Sequence, residues 1–201
     1  MSISPSFCCV ILAAGESSRM GQEKALLNYR GLSLLGGAIE SLRPNTEMVI
    51  VVAGKNTDAI SSVVYAAGAF LVANPEPERG QFSSLQVGLR EVLNRGRDAA
   101  IVVLVDRPAA ERETIRQLRE IFLQKATEGI WAVVPEYAGR HGHPIVVGRE
   151  MMEAFLRAPA TSNARDIRNS LPGRVAYVAV DDPLVAVNIN TPEDFARLTA
   201  S

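Results

Sequence analysis

The chain has 201 residues, 47% hydrophobic and 21% charged, with a formal net charge of −1. That length suits one domain over 1–201 and is enough to bury a full core. The near-neutral balance argues against a nucleic-acid binder, which carries a basic excess. It leaves a local anion site open.

The first predicted element is a strand over 7–13, "FCCVILA", preceded by "MSISPS", which lacks the basic region of a signal peptide. Cys8 and Cys9, the only cysteines, point to opposite faces of such a strand, so they are poor disulfide partners and read as small buried residues. A helix is predicted over 32–42, then a strand over 48–54, a helix over 57–68 and a strand over 69–74. A helix over 84–96, a strand over 99–105 and a helix over 111–126 continue the alternation. In that last helix Ile115, Leu118, Ile121 and Phe122 fall at helical spacing, while Glu113, Arg116 and Glu120 look outward. Strands over 130–134 and 143–148, a helix over 149–158, a strand over 175–181 and a helix over 191–198 follow. Thr191, Pro192 and two acids make a strong start for the final helix.

Several of these strands are apolar on both faces, as expected at the centre of a parallel sheet covered by helices. The alternation predicts an α/β fold, a doubly wound and mostly parallel sheet with helices on both faces. No apolar run approaches the roughly twenty residues of a membrane span. The expectation is a cytoplasmic protein with no membrane and no nucleic-acid partner.

Ligands of open α/β sheets bind beyond the carboxyl ends of the strands. The loop after the first predicted strand is "GESSRMGQEK". Gly15 and Gly21 allow close backbone approach, and successive N–H groups of such a loop form an anion-binding concavity. Ser17 and Ser18 add hydroxyl donors; Arg19 and Lys24 add positive charge. The spacing matches neither G-x-x-x-x-G-K-[ST] nor G-x-G-x-x-G, so a phosphate cradle and a solvated turn both stay open. Asp106 follows the wholly apolar strand over 99–105 and reads either as a turn residue before Pro108 or as a Mg²⁺ ligand.

The motifs resemble those of a known family. "LAAGESSRMGQEKALL" (12–27) resembles the L-A-A-G-x-S-x-R-M-G-x-x-K-x-L-L signature of the molybdenum cofactor nucleotidyltransferases, Rossmann-like proteins. "NPEPERGQFSSLQVGL" (74–89), "LVDRPAA" (104–110), "VPEYAGRHGHPIVV" (134–147) and "NINTPEDFARL" (188–198) resemble further family motifs in the same order. The match looks closest to the cytidylyl branch, whose members transfer CMP from CTP to the phosphate of the molybdopterin cofactor and release pyrophosphate. The resemblance implies that Leu12, Ala13, Ala14, Gly15 and Ser17 frame the nucleotide, with Gly80, Ser83 and Ser84 on the base side. Arg19 and Lys24 would hold the triphosphate and Asp106 would bind Mg²⁺, joined by Asn188 and Asn190. Arg140, His141 and His143 would approach a phosphorylated pterin acceptor. A molybdoenzyme or a chaperone is an implied partner.

Three departures from the pattern bear on these roles. Val105 and Arg107 stand where the family has Gly and Gln; Arg107 grips phosphate or faces solvent, the second being favoured. Asn188 and Asn190 replace two aspartates and look like the guanylyl branch, whereas "AAG" suits the cytidylyl branch and is weighted more heavily. "TSNARDIRN" (161–169) keeps Ala164 and Arg165 of a family segment without its glycines. His143 reads either as a hydrogen-bonded packing residue before Pro144 or as an acceptor contact. A guanylyltransferase, a nucleotidyltransferase for another phosphorylated acceptor, or a divergent non-catalytic nucleotide-binding module remains the alternative.

Overall fold

The computed structural model describes residues 5–15, 20–159 and 161–200. In chain order its elements are β1 (Phe7–Leu12), β2 (Asn28–Tyr29), β3 (Leu32–Ser33), α1 (Leu34–Leu42), β4 (Met48–Ala53), α2 (Thr57–Ala66) and β5 (Phe70–Ala73). Then come α3 (Gln81–Asn94), β6 (Ala99–Leu104), α4 (Arg112–Ala126), β7 (Ala132–Tyr137), β8 (Arg140–His141) and β9 (Ile145–Gly148). Helices α5 (Arg149–Arg157) and α6 (Ala164–Asn169), strand β10 (Val175–Ala179) and helix α7 (Pro192–Thr199) complete it.

The main sheet has the order β10-β7-β9-β6-β1-β4-β5, with β8 folded back on β7. Strand β1 runs parallel to β4 and β6, β4 to β5, and β7 to β10. Only β9, antiparallel to both β6 and β7, reverses the central run. The sheet is therefore mostly parallel, with helices on both faces, as the sequence predicts.

Strands β1 and β6 are buried at every residue, which is why they carry no alternation of polar side chains. Their side chains divide between two cores. Phe7, Cys9 and Ile11 pack with Leu35, Ile60 and Ile115 of α1, α2 and α4. Cys8, Val10 and Leu12 pack on the other face with Leu85, Leu89, Met151 and Phe155 of α3 and α5. Each such side chain contributes roughly 1.5–3 kcal/mol on burial. Both cysteines are free and buried.

From β1 the chain turns one way to β4 and β5, then crosses to β6 on the other side of β1. The crevice between the carboxyl ends of β1 and β6 is thus the topological switch point, where ligands of such sheets sit. A third, small core brings Met20 and Leu27 against Leu34 and Ile189, with Phe195 and Leu198 of α7 beside them. It ties the far end of the loop after β1 to the closing segment of the chain. The reciprocal Thr191–Asp194 cap and Pro192 start α7 as expected. The short β2–β3 hairpin, β8 and α6 are elements that periodicity did not reveal.

Candidate active site

Between the carboxyl end of β1 and the start of α3 lies a cavity of about 390 Å³ lined by Leu12, Ala14, Gly15, Pro77, Glu78, Gly80, Gln81 and Ser84. One wall is the chain leaving β1. Ala13 donates its N–H to the Val52 carbonyl at 2.8 Å, and its own carbonyl accepts from Asn56 Nδ2 at 2.9 Å. Asn56 Oδ1 in turn accepts from the Gly54 N–H at 3.1 Å. A Cβ on Gly54 would stand 2.9 Å from the Ala14 carbonyl oxygen, so this close crossing needs glycine.

The opposite wall is organised by Asn74, only 5% exposed. Its Nδ2 donates to Ser83 Oγ at 2.9 Å and Ser84 Oγ at 3.0 Å, while Oδ1 accepts from the Glu76 N–H at 3.0 Å. Ser83 Oγ donates onward to the Gly80 carbonyl at 2.8 Å. Ser83 therefore sits behind the wall, as does the buried Ala13, whereas Ser84, Gly80, Leu12, Ala14 and Gly15 face the cavity. Ser17 and Arg19 lie outside the described residues.

A smaller cavity of about 70 Å³ adjoins it, lined by Leu12, Gly15, Glu23, Lys24, Gln81, Val105 and Asp106. Lys24 opens a 3-10 turn, capped by Glu23 Oε1 accepting from the Ala25 N–H at 3.3 Å. The Val105 N–H donates to the Leu12 carbonyl at 3.1 Å, which fixes the loop after β6 against the end of β1. The Ile189 N–H donates to the Asp106 carbonyl at 2.8 Å, so Asn188 and Asn190 flank the backbone of Asp106. Asp182, 1% exposed, locks the same region by accepting from the N–H groups of Glu111 and Leu184 at 2.9 and 3.0 Å. Asp106 Oδ1 is buried without a hydrogen-bond partner among the described residues. A buried oxygen in that condition suits a hard cation, with carboxamide oxygens of Asn188 and Asn190 as further candidate donors.

A third cavity, about 270 Å³, lies between the sheet and helices α3, α5 and α6. Its floor is apolar, with Phe82, Leu104, Ile145 and Phe155, and it shares Leu12, Gly80 and Gln81 with the first cavity. Gln86 Nε2 ties α3 to the end of α5 by donating to the Phe155 and Ala158 carbonyls, each at 2.9 Å. His143 lines this cavity. Its N–H donates to the Val185 carbonyl at 3.0 Å, and a Cβ on Gly142 would meet that oxygen at 2.1 Å, so glycine is required where the two segments cross. Burial, reinforced by Arg107 and Arg168, holds the imidazole well below its usual pKa.

His143 is hydrogen-bonded through its backbone N–H, while its ring Nδ1 is buried without a partner among the described residues, so packing and acceptor contact both stay open. One expectation changes. Arg107 does not face solvent: it is half-buried, with Nη1 donating to the Val185 carbonyl at 2.9 Å. Arg140 and His141 are exposed on β8 and line none of these cavities. His141 instead stacks on Tyr177, ring centroids 4.0 Å apart at 15°, with Nε2 3.2 Å from Glu136.

Sequence reasoning passed over Gln81, which faces all three cavities, and Asn56, which sets the Ala13 carbonyl. Both sit on the carboxyl edge of the sheet, and that position was the available signal. Arg168, on the unforeseen helix α6, gave none.

Comparison with known proteins places these cavities in context. The model of the MobA-like NTP transferase domain matches residues 9–176. The molybdenum cofactor cytidylyltransferase of Escherichia coli is 24% identical over 188 residues, covering 93% of this chain and 92% of its own. A molybdenum cofactor guanylyltransferase of Shewanella sp. is 28% identical over 197 residues, covering 95% and 94%. The solved structure of Rv0371c from Mycobacterium tuberculosis superposes with a TM-score of 0.85 at 27% identity, covering 99% of this chain and all of that one.

Proposed function

The chain belongs to the MobA-like NTP transferase family, and from that membership we propose that it transfers CMP from CTP to the phosphate of a molybdopterin acceptor. The observation that supports this most is the convergence of Lys24 and Asp106 on one small cavity, next to the cleft bounded by Ala14, Gly15, Gly80 and Ser84.

In this reading the base and ribose lie in the 390 Å³ cleft and the triphosphate extends toward Lys24, with Arg19 assisting. Gln81 stands between the cavities and orients the α-phosphate for in-line attack. An acceptor phosphate oxygen forms a new bond to the α-phosphorus as the bond to the β-phosphate bridging oxygen breaks, and pyrophosphate leaves. The acceptor is already ionised, so no general base is needed; positioning and charge compensation are the chain's work. Mg²⁺, when bound by Asp106 with Asn188 and Asn190, would neutralise charge on the phosphates. The 270 Å³ cavity takes the pterin, with His143 at its wall.

The cytidylyl assignment rests on "AAG", whose Ala13 carbonyl Asn56 holds in place; the asparagine pair favours GTP. Pyrophosphate release measured with each of the four NTPs and Mg²⁺, with and without molybdopterin, tests both choices. Acceptor-dependent release with CTP supports the proposal. Preference for GTP moves the chain to the guanylyl branch, and no acceptor-dependent release with any NTP refutes transfer.

A further inference from the structure

The 270 Å³ cavity carries more positive charge than its apolar floor explains. Arg168, from α6, lines it, and Nη1 of its guanidinium is buried without a hydrogen-bond partner among the described residues. Its Nε donates only within its own helix, to the Ala164 carbonyl at 3.3 Å. The groups that act on it are Tyr177 and a second cation, Arg165, and no carboxylate of the described residues pairs with it. Arg107 and Arg168 both act on His143, whose Nδ1 is likewise unpartnered, and Arg107 leaves its Nε buried and unpartnered. Two nitrogen-bearing side chains, Arg168 and His143, thus leave polar atoms unsatisfied on the wall of one apolar pocket, with Arg107 behind His143.

Burying a guanidinium nitrogen without a hydrogen-bond partner is costly, and an anion that accepts from it offsets the cost. The cationic wall is also distinct from the phosphate end of the crevice. Lys24 and Asp106 line the 70 Å³ cavity and not this one, while Arg168 and His143 line this one and not the other; Leu12 and Gln81 stand between. A phosphate attacking beside Asp106 does not reach Arg168 by the same atoms.

We propose that Arg168, with His143, forms a second anion subsite, so that the acceptor is a ring compound bearing an anionic group besides the phosphate that is attacked. Arg168 supplies the fork that an oxyanion accepts from, and His143 adds a ring nitrogen at the same wall. This rests on the acceptor reading of the cavity, but the subsite itself is measurable without transfer.

The probe is inorganic phosphate, titrated calorimetrically into Lys24→Ala protein so that the triphosphate end is weakened. Lys24→Ala protein is expected to bind phosphate, and Lys24→Ala/Arg168→Gln to bind it about tenfold or more weakly, as for loss of a charged hydrogen bond. Arg168→Lys in the same background keeps the charge but loses the fork, and is expected to bind phosphate at least about threefold more weakly than Lys24→Ala protein and more tightly than the glutamine variant. Thermal melting checks folding of each variant; if the glutamine variant does not fold, the lysine variant decides, weakening of about threefold or more supporting the subsite and unchanged binding overturning it. Phosphate binding that is absent from Lys24→Ala protein, or unchanged by Arg168→Gln, overturns the subsite. Failure of the wild-type chain to release pyrophosphate would instead sink the transfer reading and leave the phosphate result standing.

Discussion

Replacing Asn74 by Ala tests how the base-side wall is built. The change removes two donations, to Ser83 and Ser84, and one acceptance from the Glu76 N–H. Ser83 loses little, since its hydroxyl still reaches the Gly80 carbonyl at 2.8 Å. Glu76 is exposed, so its N–H can turn to water, at a cost of about 1 kcal/mol for the exchanged bond. Ser84 is 3% exposed and is left with a buried hydroxyl short of its donor, costing about 1–3 kcal/mol. The total is about 3 kcal/mol, read as a lowered urea midpoint at unchanged slope. Because Ser84 and Gly80 face the cleft proposed for the nucleotide, KM for the nucleotide should rise as well. The double variant Asn74→Ala/Ser84→Ala should recover about 1 kcal/mol or more relative to the sum of the singles, since it removes the orphaned hydroxyl. A loss below about 1 kcal/mol with additive singles would refute the hub.

His143 has a folded pKa held well below the usual 6.5, so the unfolded chain takes up a proton that the folded one refuses. Stability should therefore fall as pH drops from about 7 to about 5, and His143→Gln should flatten urea midpoints over that range; an equally steep profile in the variant would contradict this. Burial pushes Cys8 up to about 12 and Cys9 higher still, so neither thiol should react with a disulfide reagent near pH 8 until urea unfolds the chain. Rapid labelling of the native protein would mean that β1 opens. Asp182→Ala removes the buried carboxylate that accepts from the N–H groups of Glu111 and Leu184 and should cost about 2 kcal/mol in urea unfolding, the exposed Glu111 N–H turning to water, while lowering kcat through the Asp106 loop; an unchanged kcat would show the loop is held elsewhere.

The architecture was legible because the strands are long, apolar runs and the helices keep their spacing, as in β6 and α4. The carboxyl-edge rule then put "LAAG" and Asp106 at one crevice, where β1 and β6 adjoin. What the sequence could not reveal depends on distant segments meeting. The Val185 carbonyl accepts from both His143 and Arg107, residues on two separate loops, and that meeting turns Arg107 inward. Likewise β8 carries Arg140 and His141 away from the cavity that His143 enters, although the three lie within four positions of the chain. Helix α6 is only six residues long and has no buried residue, so it left no apolar stripe by which to find Arg168.

Asp106 carries the central claim, because the switch-point crevice, the unpartnered Oδ1 and the flanking asparagines all meet there. The most direct measurement is pyrophosphate release with molybdopterin, CTP and Mg²⁺ by the wild-type chain and by Asp106→Asn, alongside urea unfolding of both. The account predicts that the variant keeps its stability within about 1 kcal/mol and loses turnover about a hundredfold or more, as for removal of a transition-state charge contact. Undiminished turnover by a folded Asp106→Asn protein would contradict it.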